Sequence, residues 1–217
     1  MSFVSDVEQI RARARQKIED GALTQDYQLD PIEAVRILNE ALATELVCVL
    51  RYRFHYFMAS GIHSAAVASE FLTHSNEEQG HADRIAARIK QLGGKPEMNP
   101  AVISKASHSE YKEGNTLAEM LREDLIAERI AIDSYRQMIA YFGQKDTTTR
   151  RMLVEILAVE EEHADELADF LFAMNEKNDT TQKLYHADEI PAVKAVTVNA
   201  DKLKTAKSAA AKKLKSK

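Results

Sequence analysis

Apolar positions along the chain recur with a helical period in four long runs, and a polar or acidic residue interrupts each run at mid-length. The first run reads Val35, Leu38, Leu42, Glu45, Val49, Tyr52, Tyr56. The second reads Val67, Phe71, His74, Glu78, His81, Ile85, Leu92. The third carries Leu121, Leu125, Glu128, Ile132, Tyr135, Ile139, Phe142, and the fourth Leu153, Ile156, Glu160, His163, Leu167, Phe170, Met174. Spacings of three and four place each set on one face of a helix. Helices of roughly 28 residues, about 40 Å long at the standard rise, are predicted.

Stop and start signals agree with this reading. Asp30-Pro31-Ile32-Glu33 has an N-cap residue, a proline at the first helical position and a glutamate placed for a capping box. Thr116 with Glu119 forms a second capping-box candidate. Breaks fall near Ser60-Gly61, at Gly93-Gly94 before Pro96, and at Gly143. Residues 94–115 show no clear period and read as a long crossover. Short, long and short connections in turn predict two antiparallel helix pairs joined by that crossover, an all-α four-helix bundle. The chain divides into an N-terminal extension (1–29) with a short basic amphipathic helix over 3–20, a bundle (30–175), and a polar Lys-rich C-terminal tail (176–217).

The composition supports an all-helical chain: 45% hydrophobic, seven Gly, four Pro and no Trp. The single cysteine, Cys48, excludes an internal disulfide and a thiolate metal cluster, and it fits a reducing compartment. The first twenty residues have no apolar signal-peptide core, and no stretch is apolar enough to span a bilayer. A cytoplasmic location with no membrane partner is expected. The net charge of −5 is uneven: residues 201–217 hold seven Lys against Asp201, which leaves −11 on the rest. That basic tail is a candidate DNA-binding segment through phosphate contacts, a disordered solubilising tail, or a tail that docks on the acidic body.

The polar residues within the apolar stripes carry the chemistry. Glu78/His81 and Glu160/His163 are Glu-x-x-His pairs, each preceded on another helix by one core glutamate, Glu45 or Glu128. Four ionised carboxylates at one level of a bundle interior repel one another and are costly to bury. No Lys or Arg lies on those stripes near that level. Two divalent cations would balance them, each taking one imidazole and one terminal carboxylate while the other two carboxylates bridge. With no thiolate, this donor set suits Fe or Mn, and Zn as an adventitious occupant.

The segments LNEALATELVCVLRYRFHYF, NEEQGHADRIAARIKQLGG, LREDLIAERIAIDSYRQM and MLVEILAVEEEHADELADF resemble the four helices of the bacterioferritin branch of the ferritin-like superfamily, over about residues 31–175. The resemblance implies a ferritin-like bundle that assembles as a homo-oligomer. It also implies a di-iron ferroxidase centre with two Fe ions per chain, at which Fe(II) is oxidised by O2 or H2O2 for storage or detoxification. It carries the metal-ligand role to Glu45, Glu78, His81, Glu128, Glu160 and His163, and not to Glu77, Glu161 or Glu162. Bacterioferritins bind haem through a Met directly after the second-helix glutamate, where this chain has Gln79, so haem is not expected. Rubrerythrins add a glutamate where this chain has Ala131, and usually a four-cysteine iron domain. A rubrerythrin-like peroxidase or oxidase without storage, and a Dps-like DNA-binding protective protein, are the alternative functions.

Five neighbours complete the set of candidates. Tyr52, the candidate catalytic residue, and Tyr135 each lie seven residues after a ligand glutamate. They read either as core residues satisfied by a carboxylate or, for Tyr52, as a one-electron participant. Asp124 reads either as the acceptor of a ligand histidine's free N–H or as a solvated charge on the helix face. His74 reads as a packed or partly exposed histidine, and Cys48 as a small buried residue.

Overall fold

The structure, a computed structural model, describes residues 6–62 and 64–176. Among the described residues the regular structure is entirely helical. Helix α1 spans Val7–Ala14 and a 3-10 turn follows at Ile18–Asp20. The four long helices are α2 (Pro31–Met58), α3 (Ser64–Gln91), α5 (Leu117–Phe142) and α6 (Thr147–Glu176), and the short α4 (Pro100–Ala106) lies between α3 and α5. The C-terminal extension beyond residue 176, including the basic run over 201–217, lies outside the described residues.

The helix starts follow the capping chemistry with two differences. Asp30 accepts from the Ile32 N–H, as its N-cap position requires, but Glu33 turns to Arg36 (2.7 and 2.8 Å) instead of closing a capping box. An i,i+3 ion pair outcompetes the reach back to the cap. At α5 Thr116 accepts from the Glu119 N–H, and the Glu119 carboxylate reaches back one residue past the cap to accept from the Asn115 N–H.

Chain direction is set by pairwise contacts. Val49 and Arg53 of α2 meet Ser75 and Asn76 of α3, and Glu45 faces His81, so α2 and α3 are antiparallel. Arg84 reaches Glu155 and Arg88 reaches Thr149, which sets α3 against α6 in opposite directions. Glu45 lies level with Tyr135, and Tyr52 with Glu128, which does the same for α2 and α5. Helices α3 and α5 therefore run in the same direction, and residues 92–116 must travel the length of the bundle.

That crossover contains a short helix that the sequence pattern did not reveal. Pro100 opens α4, capped by Asn99, and Ile103 buries against Ala43 and Val47 of α2. One apolar contact per turn is too weak a period to see in seven residues. Helix α2 holds the rest of the crossover through a row of polar groups. Asn39 bonds the Lys95 carbonyl and the Glu97 N–H. Thr44 accepts from the His108 N–H, Arg51 donates to Ser109 and the Glu110 carbonyl, and His55 Nε2 meets the Glu113 carbonyl. Where α3 ends, Gly94 passes so close to α2 that an added Cβ would lie 2.5 Å from Val35.

Two apolar clusters fill the bundle, one on each side of the polar level. One gathers Leu38, Leu42, Ile85, Ile89, Phe142, Leu153 and Ile156, and the other Phe71, Leu121 and Leu167 with Tyr52. This arrangement leaves the acidic residues between two dry layers.

Candidate metal centre

All six predicted ligands meet at the centre of the bundle. Glu45, Glu78, His81, Glu128, Glu160 and His163 are each at most 5% exposed. Their donor atoms fall into two overlapping sets. Glu45, Glu78, His81 and Glu160 form one set, and Glu78, Glu128, Glu160 and His163 the other, with all donor atoms of a set within 4.8 Å of one another. Glu78 and Glu160 belong to both. The i,i+3 spacing aims glutamate and histidine of each pair at the same volume.

Both imidazoles present Nδ1 to the centre. His81 Nδ1 lies 3.0 Å from Glu160 Oε1 and 3.4 Å from both Glu45 and Glu78. His163 Nδ1 lies 3.5 Å from both Glu78 and Glu160. On the outer side, His163 Nε2 meets Glu77 at 2.9 Å. A carboxylate on the far nitrogen fixes ring orientation and leaves Nδ1 free to ligate.

The fit to cations rests on which atoms lack partners. Eight buried side-chain polar atoms among the described residues have no hydrogen-bond partner, and seven belong to these six residues. Buried polar atoms are nearly always paired in folded proteins, so seven unpaired atoms converging on one volume point to a missing electrophile. Burial, with the charge of Glu78 beside it, pushes the Glu45 carboxyl up to about 8. Burial, with the charges of Glu78 and Glu160, also raises Glu128 well above the carboxylate range. For His81 and His163 burial acts in the opposite direction, but the surrounding carboxylates, Glu160 first, overcome it and raise both to about 12. Two divalent cations would relieve this crowding, and four carboxylates with two imidazoles suit Fe or Mn.

The tyrosines add a second layer of order. Tyr52 of α2 donates to Glu128 Oε1 of α5, and Tyr135 of α5 donates to Glu45 Oε1 of α2. The repeated seven-residue spacing thus becomes a reciprocal exchange across the bundle.

The model of the ferritin-like domain matches residues 35–176. The chain belongs to the ferritin-like family. Within it the relatives are bacterioferritins: BfrA of Mycobacterium tuberculosis is 31% identical over 161 residues, covering 74% of this chain and 94% of its own. The bacterioferritin of Mycobacterium avium is 32% identical over 141 residues, or 64% of this chain and 84% of that one. Among solved structures of the family, a dodecameric thioferritin, the bacterioferritin-related protein of Bacteroides fragilis, superimposes with a TM-score of 0.68 at 30% identity, covering 72% of this chain and 94% of that chain. The chain is therefore a ferritin-like protein of the bacterioferritin-like branch.

Within that ferritin-like fold one sequence expectation is corrected, one is narrowed and one residue is added. Asp124 does not reach a ligand histidine. It is fully buried between Arg51 Nε (2.8 Å) and His55 Nδ1 (2.7 Å), because those two α2 side chains point inward at its level. His74 takes the packed one of its two readings. It is fully buried, stacked on His163 with ring centroids 3.9 Å apart, and its Nε2 lies 2.9 Å from Glu166. Glu77, to which the resemblance gives no ligand role, meets His163 from outside; its place beside Glu78 gave no sign of that. Gln79, where bacterioferritins carry the haem methionine, bonds Asp83 on the exposed face.

Proposed function

We propose that the chain binds two Fe(II) per subunit at this centre and oxidises them with O2 or H2O2, for iron storage or for detoxification of iron and peroxide. The observation that carries this reading is the pair of overlapping donor sets with their seven unpaired atoms. Membership of the bacterioferritin-like branch supports it.

In this reading Glu45 and His81 would hold one ion, Glu128 and His163 the other, and Glu78 and Glu160, which belong to both donor sets, would serve both. Both oxygens of Glu160 and one of Glu78 are buried without a hydrogen-bond partner. Each terminal glutamate has one oxygen committed to a tyrosine and the other, Oε2, unpaired and facing inward. The tyrosines thereby hold Glu45 and Glu128 as single-oxygen ligands. Two bound Fe(II) supply two electrons, enough to reduce O2 to H2O2 or H2O2 to water. The protein's part is to place the ions side by side, keep bulk water out between two apolar layers, and fix the six donors before the ions arrive. Tyr52, against His74 and bonded to Glu128, is the side chain we assign to a direct role beside the ions. Mn and Zn are competing occupants of the same donors.

We further infer a homo-oligomer in a cytoplasmic setting. The decisive experiment is aerobic Fe(II) titration of the apo-protein, followed by ultraviolet absorbance and light scattering. The expected result is a break near two Fe per chain, as a dinuclear bundle site requires, that is lost in Glu45→Ala. Continued uptake by a large particle marks storage, whereas oxidation without mineral marks a rubrerythrin-like oxidase. No break and no acceleration over buffer overturns the assignment. A salt-sensitive DNA gel shift that disappears on removal of residues 201–217 would identify the Dps-like alternative.

A further inference from the structure

A second cluster of ligand-type side chains lies beside the paired centre and plays no part in it. Glu70 and His74 are one turn apart on α3, and Glu166 faces them from α6. His74 Nε2 lies 2.9 Å from Glu166 and 3.4 Å from Glu70, and one donor atom from each residue falls within 4.8 Å of the other two. The ring is fully buried while the carboxylates are 28% and 43% exposed, so the cluster opens to solvent on one side. Among the described residues neither Glu70 nor Glu166 has a Lys or Arg ion-pair partner; each has only His74. A neutral imidazole has one proton to share between two carboxylates, and two negative charges remain unbalanced.

We propose that Glu70, His74 and Glu166 form a third divalent-cation site, mononuclear and open to water, taking a borderline or hard ion such as Fe(II), Mn(II) or Co(II). One imidazole and two carboxylates facing solvent form an incomplete shell that water completes. Stacking on His163 and the edge-on contact with Tyr52 hold the His74 ring, so Nε2 stays aimed at the carboxylates. When a cation takes Nε2, the ring proton moves to Nδ1, which is buried without a partner. An N–H left unpaired in the interior weakens binding, so this site fills after the paired centre. The inference goes beyond the ferroxidase reading and does not depend on it.

The test is anaerobic equilibrium dialysis of the full-length apo-protein against Co2+, comparing the natural chain with Glu70→Gln/Glu166→Gln. Both substitutions are isosteric and lie at partly exposed positions, so the fold is retained, and circular dichroism checks it. The pair is repeated in a Glu45→Gln/Glu128→Gln background that disables the paired centre. A loss of about one Co2+ per chain in both backgrounds is the expected result for a separate mononuclear site. No loss in either overturns the proposal. A loss seen only with the paired centre intact also overturns it, because the two carboxylates would then be acting through His74 and His163 on the main site.

Discussion

Tyr135 on α5 donates its hydroxyl to Glu45 on α2, and this bond leaves only one oxygen of that glutamate, Oε2, facing its companions. Tyr52 and Glu128 repeat the arrangement with the helices exchanged. Removing either hydroxyl leaves a buried carboxylate oxygen without its donor, a loss of about 1–3 kcal/mol. Tyr52→Phe and Tyr135→Phe are each expected to lower the stability of the metal-free protein by that amount in chemical denaturation. Tyr52→Phe is also expected to slow Fe(II) oxidation in stopped flow while the chain stays folded. Unchanged kinetics would reduce Tyr52 to a packing residue.

Burial and the charges of Glu78 and Glu160 hold the Glu128 carboxyl against ionisation in the metal-free protein, at a cost to folding at pH above the usual carboxylate range. Glu128→Gln keeps an acceptor for Tyr52 and removes that cost. The apo-protein is expected to melt higher by roughly 2–8 °C, corresponding to about 1–2 kcal/mol. The same variant should lose most of the further rise that Mn2+ or Co2+ produces in the natural chain. Calorimetry with and without metal checks both halves; an apo-protein made less stable by the change would contradict this account of Glu128.

Protons compete with metal for this site. The Glu45 carboxyl, raised to about 8, holds a proton at neutral pH, and the His81 and His163 rings, raised to about 12, are imidazolium in the metal-free state. Ligation needs all three deprotonated. Affinity should therefore increase as pH rises toward and through 8 and fall on acidification, with protons released on binding. Titration calorimetry with Co2+ at one pH in two buffers of different ionisation enthalpy counts those protons. Zero release at pH 7 would show that the centre is already deprotonated without metal.

Arg51, Asp124 and His55 form a buried polar knot that ties the crossover to the bundle. Arg51→Met leaves Asp124 as an uncompensated buried charge beside His55 and releases Ser109 and Glu110. Breaking a buried pair from one side costs about 3–5 kcal/mol. Denaturant unfolding should show that loss, and hydrogen exchange should quicken over residues 107–115. A loss well below 1 kcal/mol would mean that water takes over the role of the guanidinium.

The helices, their order and the six central donors were legible in the sequence because a helix converts spacing into direction. Glu78 and His81 share a face whatever the rest of the chain does, and an acidic residue within an apolar stripe has nowhere to point but inward. Proline and glycine at the ends fixed the lengths of the connections, and connection length fixed which helices run antiparallel.

What lies between helices was decided only by the tertiary structure. The sequence placed Asp124 on an inward face but could not say that Arg51 and His55 of α2 would reach it before any ligand histidine, because that depends on how far α2 and α5 are displaced along their axes. The same displacement gives Tyr135 to Glu45 and Tyr52 to Glu128, whereas the spacing of seven shows only that each tyrosine shares a face with the glutamate of its own helix. Nothing in the sequence pattern singles out Glu77, Glu70 or Glu166 as partners of a histidine. They become partners of His163 and His74 only where α3 and α6 pack, since a side chain's neighbours across a helix interface are set by crossing geometry and not by its own period.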